Sequence, residues 1–110
     1  MPVAVREKVR AVSADVGGQA KLARILGVSP SRVSRWLRTE EPDPENRRKV
    51  EGVEYVLSRL MALYEPDTAL KWLQGLNAYS GNRRPIDLLG QGRIDEVLVA
   101  IQAEEGLAYA

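Results

Sequence analysis

Apolar residues recur along the chain at helical spacing and nowhere hold a sustained two-residue alternation, so the predicted fold class is all-α. Three helical segments come first: roughly Val3–Val16, Gly18–Leu26 and Pro30–Arg38. They end at "TEEPDPEN", residues 39–46, where two prolines among carboxylates predict a short stiff linker. Asp43 is then placed to cap, and Pro44 to open, a helix that runs to Tyr64 before "EPD" stops it. Asp67 can cap a short helix ending at Gly75, and Pro85 can start another ending at Gly90. Arg93–Glu105 completes the series, with Gly106 as its stop. The organisation expected is a first unit over residues 1–38, a linker over 39–46, and a central helix with a second small helical unit over 47–110.

The first unit carries the most specific local pattern, "GGQAKLARILGVSPSRVSRWLR". Leu22, Leu26, Val33 and Trp36 can share one small core, Ala23 lets two helices cross closely, and Gly27 can take the positive φ of a tight turn. Ser29 caps and Pro30 begins the next helix. With Val33, Trp36 and Leu37 turned inward, that helix must turn Ser31, Arg32, Ser34, Arg35 and Arg38 outward. Such a face consists of hydrogen-bond donors suited to guanine edges or to phosphates, and serines at the helix head can reach either. A solvated face on a plain helical hairpin is the other reading of these arginines. Trp36 fits a core role better than a base-stacking one.

Charge sharpens this picture. The 110-residue chain has a net charge of only +1. Yet residues 1–38 hold eight Lys/Arg against Glu7 and Asp15, a balance of +6, which leaves −5 for the remainder. From Ile94 onward there are four acidic residues and no basic one. A basic first part suits a polyanion; an acidic end would be repelled by one. There is no cysteine and no histidine, so thiol chemistry, the commonest general base and the commonest metal ligand are missing. The chain is therefore expected to be no enzyme, with no catalytic residue, metal or cofactor. The interleaved charges of its first segment and the lack of a membrane-length apolar run lead to an expected cytoplasmic place with no membrane partner.

A unit of about 38 residues is near the size below which a domain rarely stands alone. The helix from Pro44 supplies support: Val50, Val53, Leu57, Leu60 and Tyr64 follow 3, 4, 3, 4 spacing, and Val56, Met61 and Leu63 widen the apolar face. One stripe can cover the chain's own core and another a second copy, making a homodimer seam. A single wide core face in a monomer is the alternative.

Far from the other basic residues stands "GNRRPIDLLGQG". Arg84 would sit at the N-terminus of the helix opened by Pro85, where the backbone dipole disfavours a cation. Arg83 and Arg84 therefore need carboxylates or a waiting anion, and Asp87, Asp95 and Glu96 are candidates within the chain. Arginine–carboxylate forks there would fix the angle between the last two helices; direct contact with a partner is the other use.

Two resemblances follow from these residues. The segment Val16–Arg38 resembles a helix-turn-helix of the Xre, phage-repressor-like group: a small residue, a glycine four positions on, then a capped recognition helix. This resemblance implies binding to duplex operator DNA, adds a phosphate contact for Gln19, and favours a homodimer that engages two half-sites. The segment Ala69–Ala110 resembles the toxin-binding domain of Xre/MbcA/ParS-type antitoxins, through Trp72-Leu73 before Gly-x-Asn, the Arg-Arg-Pro-Ile-Asp-Leu-Leu block, and the terminal Gly-Leu-Ala-Tyr-Ala. It departs from the commoner Asn-Pro-x-Leu-Gly loop, since Ala78 and Tyr79 follow Asn77.

The family resemblance implies an antitoxin that neutralises a RES-domain, NAD-consuming toxin by direct binding and represses its own operon. It implies toxin contacts from Arg83, Arg84, Asp87, Glu104, Glu105, Leu107, Tyr109 and Ala110. In the C-terminal part of that set, Tyr109 and the terminal carboxylate would enter the toxin's cleft, beside Glu104 and Glu105, where the phosphates of NAD would bind. Folding back of Leu107 and Tyr109 onto the chain's own surface is the competing expectation. The alternative function is a stand-alone helix-turn-helix regulator whose C-terminal region dimerises or senses a ligand.

Overall fold

The computed structural model describes residues 4–108, and these form an all-helical fold of seven α-helices. Helix α1 (Val5–Val16) buries Val5, Val9, Val12 and Val16 along one stripe. It stops at Gly17, whose φ of 99° is left-handed, and the Gly18 amide donates to the Ser13 carbonyl at 2.6 Å. Helix α2 (Gln19–Leu26) ends at Gly27, and α3 (Pro30–Trp36) starts under Ser29, whose Oγ accepts from the Arg32 amide at 3.3 Å. Val3, assigned from the sequence to the first helix, lies outside the described residues.

The central helix α4 (Pro44–Met61) is capped by Asp43, with Pro44 at its first position. Helices α5 (Pro66–Gln74), α6 (Pro85–Gly90) and α7 (Ile94–Ala108) follow, with a 3-10 turn at Ala78–Ser80 between α5 and α6. Several expected bounds are corrected: α3 stops at Trp36 rather than Arg38, and α4 at Met61 rather than Tyr64. Helix α5 begins at Pro66, so Asp67 lies in the first turn, where its charge favours the helix dipole, and Glu65 occupies the cap position without a side-chain bond. Gly106 does not end α7. Glu104 and Glu105 bind Tyr64 and Arg59 at the end of α4, which holds the last turn in place against the roughly 1 kcal/mol that glycine costs a helix.

Helix α4 lies at the centre and touches α1, α2, α5, α6 and α7. One hydrophobic cluster runs without interruption from Val5 through Trp36, Val50, Leu57, Leu60 and Leu89 to Ile101. The boundary expected at residue 38 therefore does not divide the core. Helix α2 of the first unit packs directly on α6 of the second, and the approach is close: a Cβ on Gly90 would stand 2.5 Å from the Ile25 carbonyl oxygen. The five residues assigned to a homodimer seam are also corrected by this packing. Val50, Val53, Leu57 and Leu60 are buried in the chain's own core, and half-buried Tyr64 packs on it, so the stripe is not open to a second copy. A central helix with five neighbours spends this stripe inside one chain.

Candidate functional site

Two surfaces hold most of the candidate residues. At the first, the cap and Pro30 set the start of α3, and burial of Val33 and Trp36 fixes its rotation. Ser31 and Arg38 are exposed; Arg32, Ser34 and Arg35 are half-buried; Gln19, the first residue of α2, is exposed. Ser29 and Ser31 share a 3.1 Å hydroxyl–hydroxyl hydrogen bond. The face is less open than its sequence suggests. Arg32 Nη2 donates to Asp43 Oδ1 at 3.0 Å, with its guanidinium 5.6 Å from the centre of the Trp36 ring. Arg35 Nε donates to Glu40 Oε2 at 3.3 Å.

The connector is held against this helix by its backbone as well. The amides of Thr39 and Glu40 both donate to the Arg35 carbonyl at 2.9 Å, and Pro42 is buried. At the far end Asp43 accepts from the Asn46 side chain at 2.7 Å and from its amide at 3.4 Å. The Asn46 side-chain bond, chiefly, holds the Asp43 carboxyl below its ordinary pKa against the opposing effect of desolvation, with lesser help from the Asn46 amide and the Arg32 charge.

The second surface is the corner between the 77–83 loop and α7. Asn77 organises the loop: its Oδ1 accepts from the Tyr79 amide at 2.9 Å, its carbonyl from Asn82 at 2.9 Å, and its own amide donates to Arg83 at 3.0 Å. The reversal needs two consecutive left-handed residues, Gly81 and Asn82, with φ of 67° and 58°. Arg83 then reaches Ser80 O with Nε and Glu96 Oε1 with Nη2, each at 2.9 Å. Glu96 also receives Arg93, whose hydrogen bonds are the main reason its carboxyl is held below the ordinary value, with Arg83 adding to the effect.

The remaining candidates divide. Arg84 and Asp87 are exposed and make no side-chain hydrogen bond or ion pair among the described residues. Asp87 lines an open groove of about 390 Å³ between α2 and α6, together with Arg24, Ile25 and Ile86. Glu105 is tied to Arg59 by two bonds, and Glu104 accepts from the Tyr64 hydroxyl at 2.5 Å, which raises the Tyr64 pKa. These two carboxylates are thus engaged with Arg59 of α4 and with Tyr64 just after it. Leu107 is exposed on the last turn of α7, while Tyr109 and Ala110 lie outside the described residues.

Sequence reasoning missed the apolar residues of this corner. Leu76, Tyr79 and Val99 are exposed, and the 3-10 turn bearing Tyr79 packs on α7. The signal was present in Val97-Leu98-Val99-Ala100-Ile101: five consecutive apolar residues on a helix cannot all face one core, and Val99 is the one left outside. Among the described residues no group of three or more potential ligands could hold a metal ion, and no helix is long and apolar enough to cross a membrane.

This small all-helical chain, whose first three helices pack on α4 and α6, has an MbcA-like antitoxin fold. The likeness is to a chain in the crystal structure of the M. tuberculosis MbcT–MbcA toxin–antitoxin complex, at 25% sequence identity and a TM-score of 0.75, covering 93% of this chain and 94% of that one. No protein-family model matches the sequence, and no curated protein does.

Proposed function

We propose that the chain is the antitoxin of a toxin–antitoxin pair, which neutralises a RES-domain, NAD-consuming toxin by direct binding and represses its own operon by binding duplex operator DNA. The observation that carries the antitoxin reading is the end-to-end likeness to a chain of a toxin–antitoxin complex, since it spans both units and their mutual packing. In this reading the DNA surface is Gln19, Ser29, Ser31, Arg32, Ser34, Arg35 and Arg38, and a cytoplasmic setting follows from the partner. Exposed Arg84, Asp87 and Leu107, with Tyr109 and Ala110, are the toxin contacts; Arg83, Glu104 and Glu105 shape the corner that presents them. The exposed apolar residues Leu76, Tyr79 and Val99 extend that surface. A homodimer engaging two half-sites would use a surface other than the buried stripe of α4. The role is protein binding and DNA binding, not catalysis.

The test is co-expression with the product of the adjacent gene. Copurification, together with suppression of NAD consumption by the purified toxin, is the expected result. Retained DNA binding with no copurification and no inhibition would move the chain to the stand-alone regulators.

A further inference from the structure

The two central arginines of the recognition helix are not free in the folded chain. Arg32 is bound to Asp43 at 3.0 Å and Arg35 to Glu40 at 3.3 Å, so the acidic connector that follows the helix covers the groups the helix would offer to phosphate. The connector is not a loose acidic tail. Its start is pinned by the Thr39 and Glu40 amides on the Arg35 carbonyl, its middle by buried Pro42, and its end by the cap that Asp43 forms on α4. Both carboxylates are thereby held at ion-pair distance from a guanidinium. All four side chains keep about half their exposure, so each pair is open to exchange with an external anion.

We propose that residues Glu40–Asp43 form a built-in competitor for DNA, in which two carboxylates stand where phosphates would bind and must be displaced before Arg32 and Arg35 engage the duplex. This rests on the DNA reading of α3. Displacement lowers the affinity for any duplex, because each new arginine–phosphate contact is gained at the loss of an existing arginine–carboxylate contact. It also flattens the salt dependence, since the carboxylates left beside the DNA retain cations that binding would otherwise release. Weak non-specific binding follows, and only a site offering base contacts besides phosphates overcomes the competitor.

The experiment measures fluorescence anisotropy of a labelled mixed-sequence duplex about three helical turns long, titrated with the full chain over a range of salt. Three proteins are compared with the wild type: the double variant Glu40→Gln/Asp43→Asn, the control Glu41→Gln, and the double variant Arg32→Ala/Arg35→Ala. Asn is as good a helix cap as Asp, so the α4 start is preserved, and Glu40→Gln alone serves if that cap is weakened. Glu41 is exposed and forms no ion pair among the described residues, so its neutralisation removes one charge without opening the clamp.

The neutral-connector variant is expected to bind at least about tenfold more tightly at low salt, with a salt slope steeper by about one to two units and convergence with wild type as salt rises. The Glu41→Gln control is expected to differ little from wild type. Equal affinity of wild type and the neutral-connector variant, with binding lost in Arg32→Ala/Arg35→Ala, would overturn the competitor alone. A gain in Glu41→Gln as large, per charge removed, as in the neutral-connector variant would likewise overturn it, reducing the effect to net charge. Absence of binding in every protein, or undiminished binding without the two arginines, would overturn the DNA reading and the competitor with it.

Discussion

Both ends of this molecule pair arginine with carboxylate, and the pairs differ in what they join. Around α3 the partners are near in sequence, Arg35 with Glu40 and Arg32 with Asp43, and the Arg35 pair keeps 41% and 56% of its side-chain exposure. At the far end of α7 one pair joins distant segments: Arg59 and Glu105 close a separation of 46 residues and keep only 21% and 31%. The first kind can open without disturbing a helix, because helix and connector are each held by other bonds. The second fastens α7 to α4, and its loss loosens the helix that carries the acidic corner. The same two functional groups thus serve as an exchangeable cover at one end and as a structural tie at the other.

That contrast presumes one body with a shared core, and the largest expected effect tests it. Leu57→Ala should destabilise the chain by about 2–5 kcal/mol in urea unfolding, because the side chain is wholly enclosed by the chain itself. Light scattering sharpens the result. A seam between copies would instead show a drop in mass with the stability of the monomer unchanged.

Next in size is Gly90→Ala. The added Cβ would stand 2.5 Å from the backbone oxygen of Ile25, so α6 and α2 must move apart at a cost of about 1–3 kcal/mol. Trp36 lies in the first part and Trp72 in the second, so single-tryptophan variants report each end separately. Coincident transitions, shifted together by the substitution, are expected; an unfolding of one end before the other would break the one-body description.

A smaller effect, confined to the acidic corner, is expected from deletion of Leu107–Ala110. On the proposed antitoxin role, toxin neutralisation should weaken at least about tenfold, or ~1.4 kcal/mol, while DNA binding stays nearly unchanged. Coincident inhibition curves for the full and truncated proteins, read from NAD consumption, would remove these residues from the toxin contact.

The smallest effect concerns the clamp on Glu96. Its folded-state pKa lies below the ordinary value, chiefly through Arg93 and then Arg83. A depressed carboxylate contributes stability that is fully present above its unfolded pKa and is lost as pH falls through the folded one. Glu96→Gln should therefore lower stability slightly at neutral pH and converge with wild type in acid. Parallel stability profiles down through the carboxylate range would show that the pair contributes nothing.

Much of the helix framework was legible because its signals are local. Ser29-Pro30, Asp43-Pro44 and Pro85 satisfy or remove amide donors within one turn, and Gly17 and Gly27 take left-handed angles that few other residues tolerate, so these boundaries depend on neighbours only a few residues away. Gly106 shows the limit of such signals: glycine permits a helix to stop, but the ties from Glu104 and Glu105 to α4 decide that it continues. The stripe on α4 was visible as apolar, yet whether it met a second copy depended on how many other helices of the same chain reach it. The arginines of α3 were legible as donors, and the acidic connector as a linker. That the one closes over the other became visible only once the helix rotation and the Asp43 cap brought the carboxylates to within 3.3 Å. Capping and turn preferences act through covalent neighbours and are written in sequence order. Pairing of charges and the allotment of an apolar face are decided by distances between segments, which only the packed chain sets.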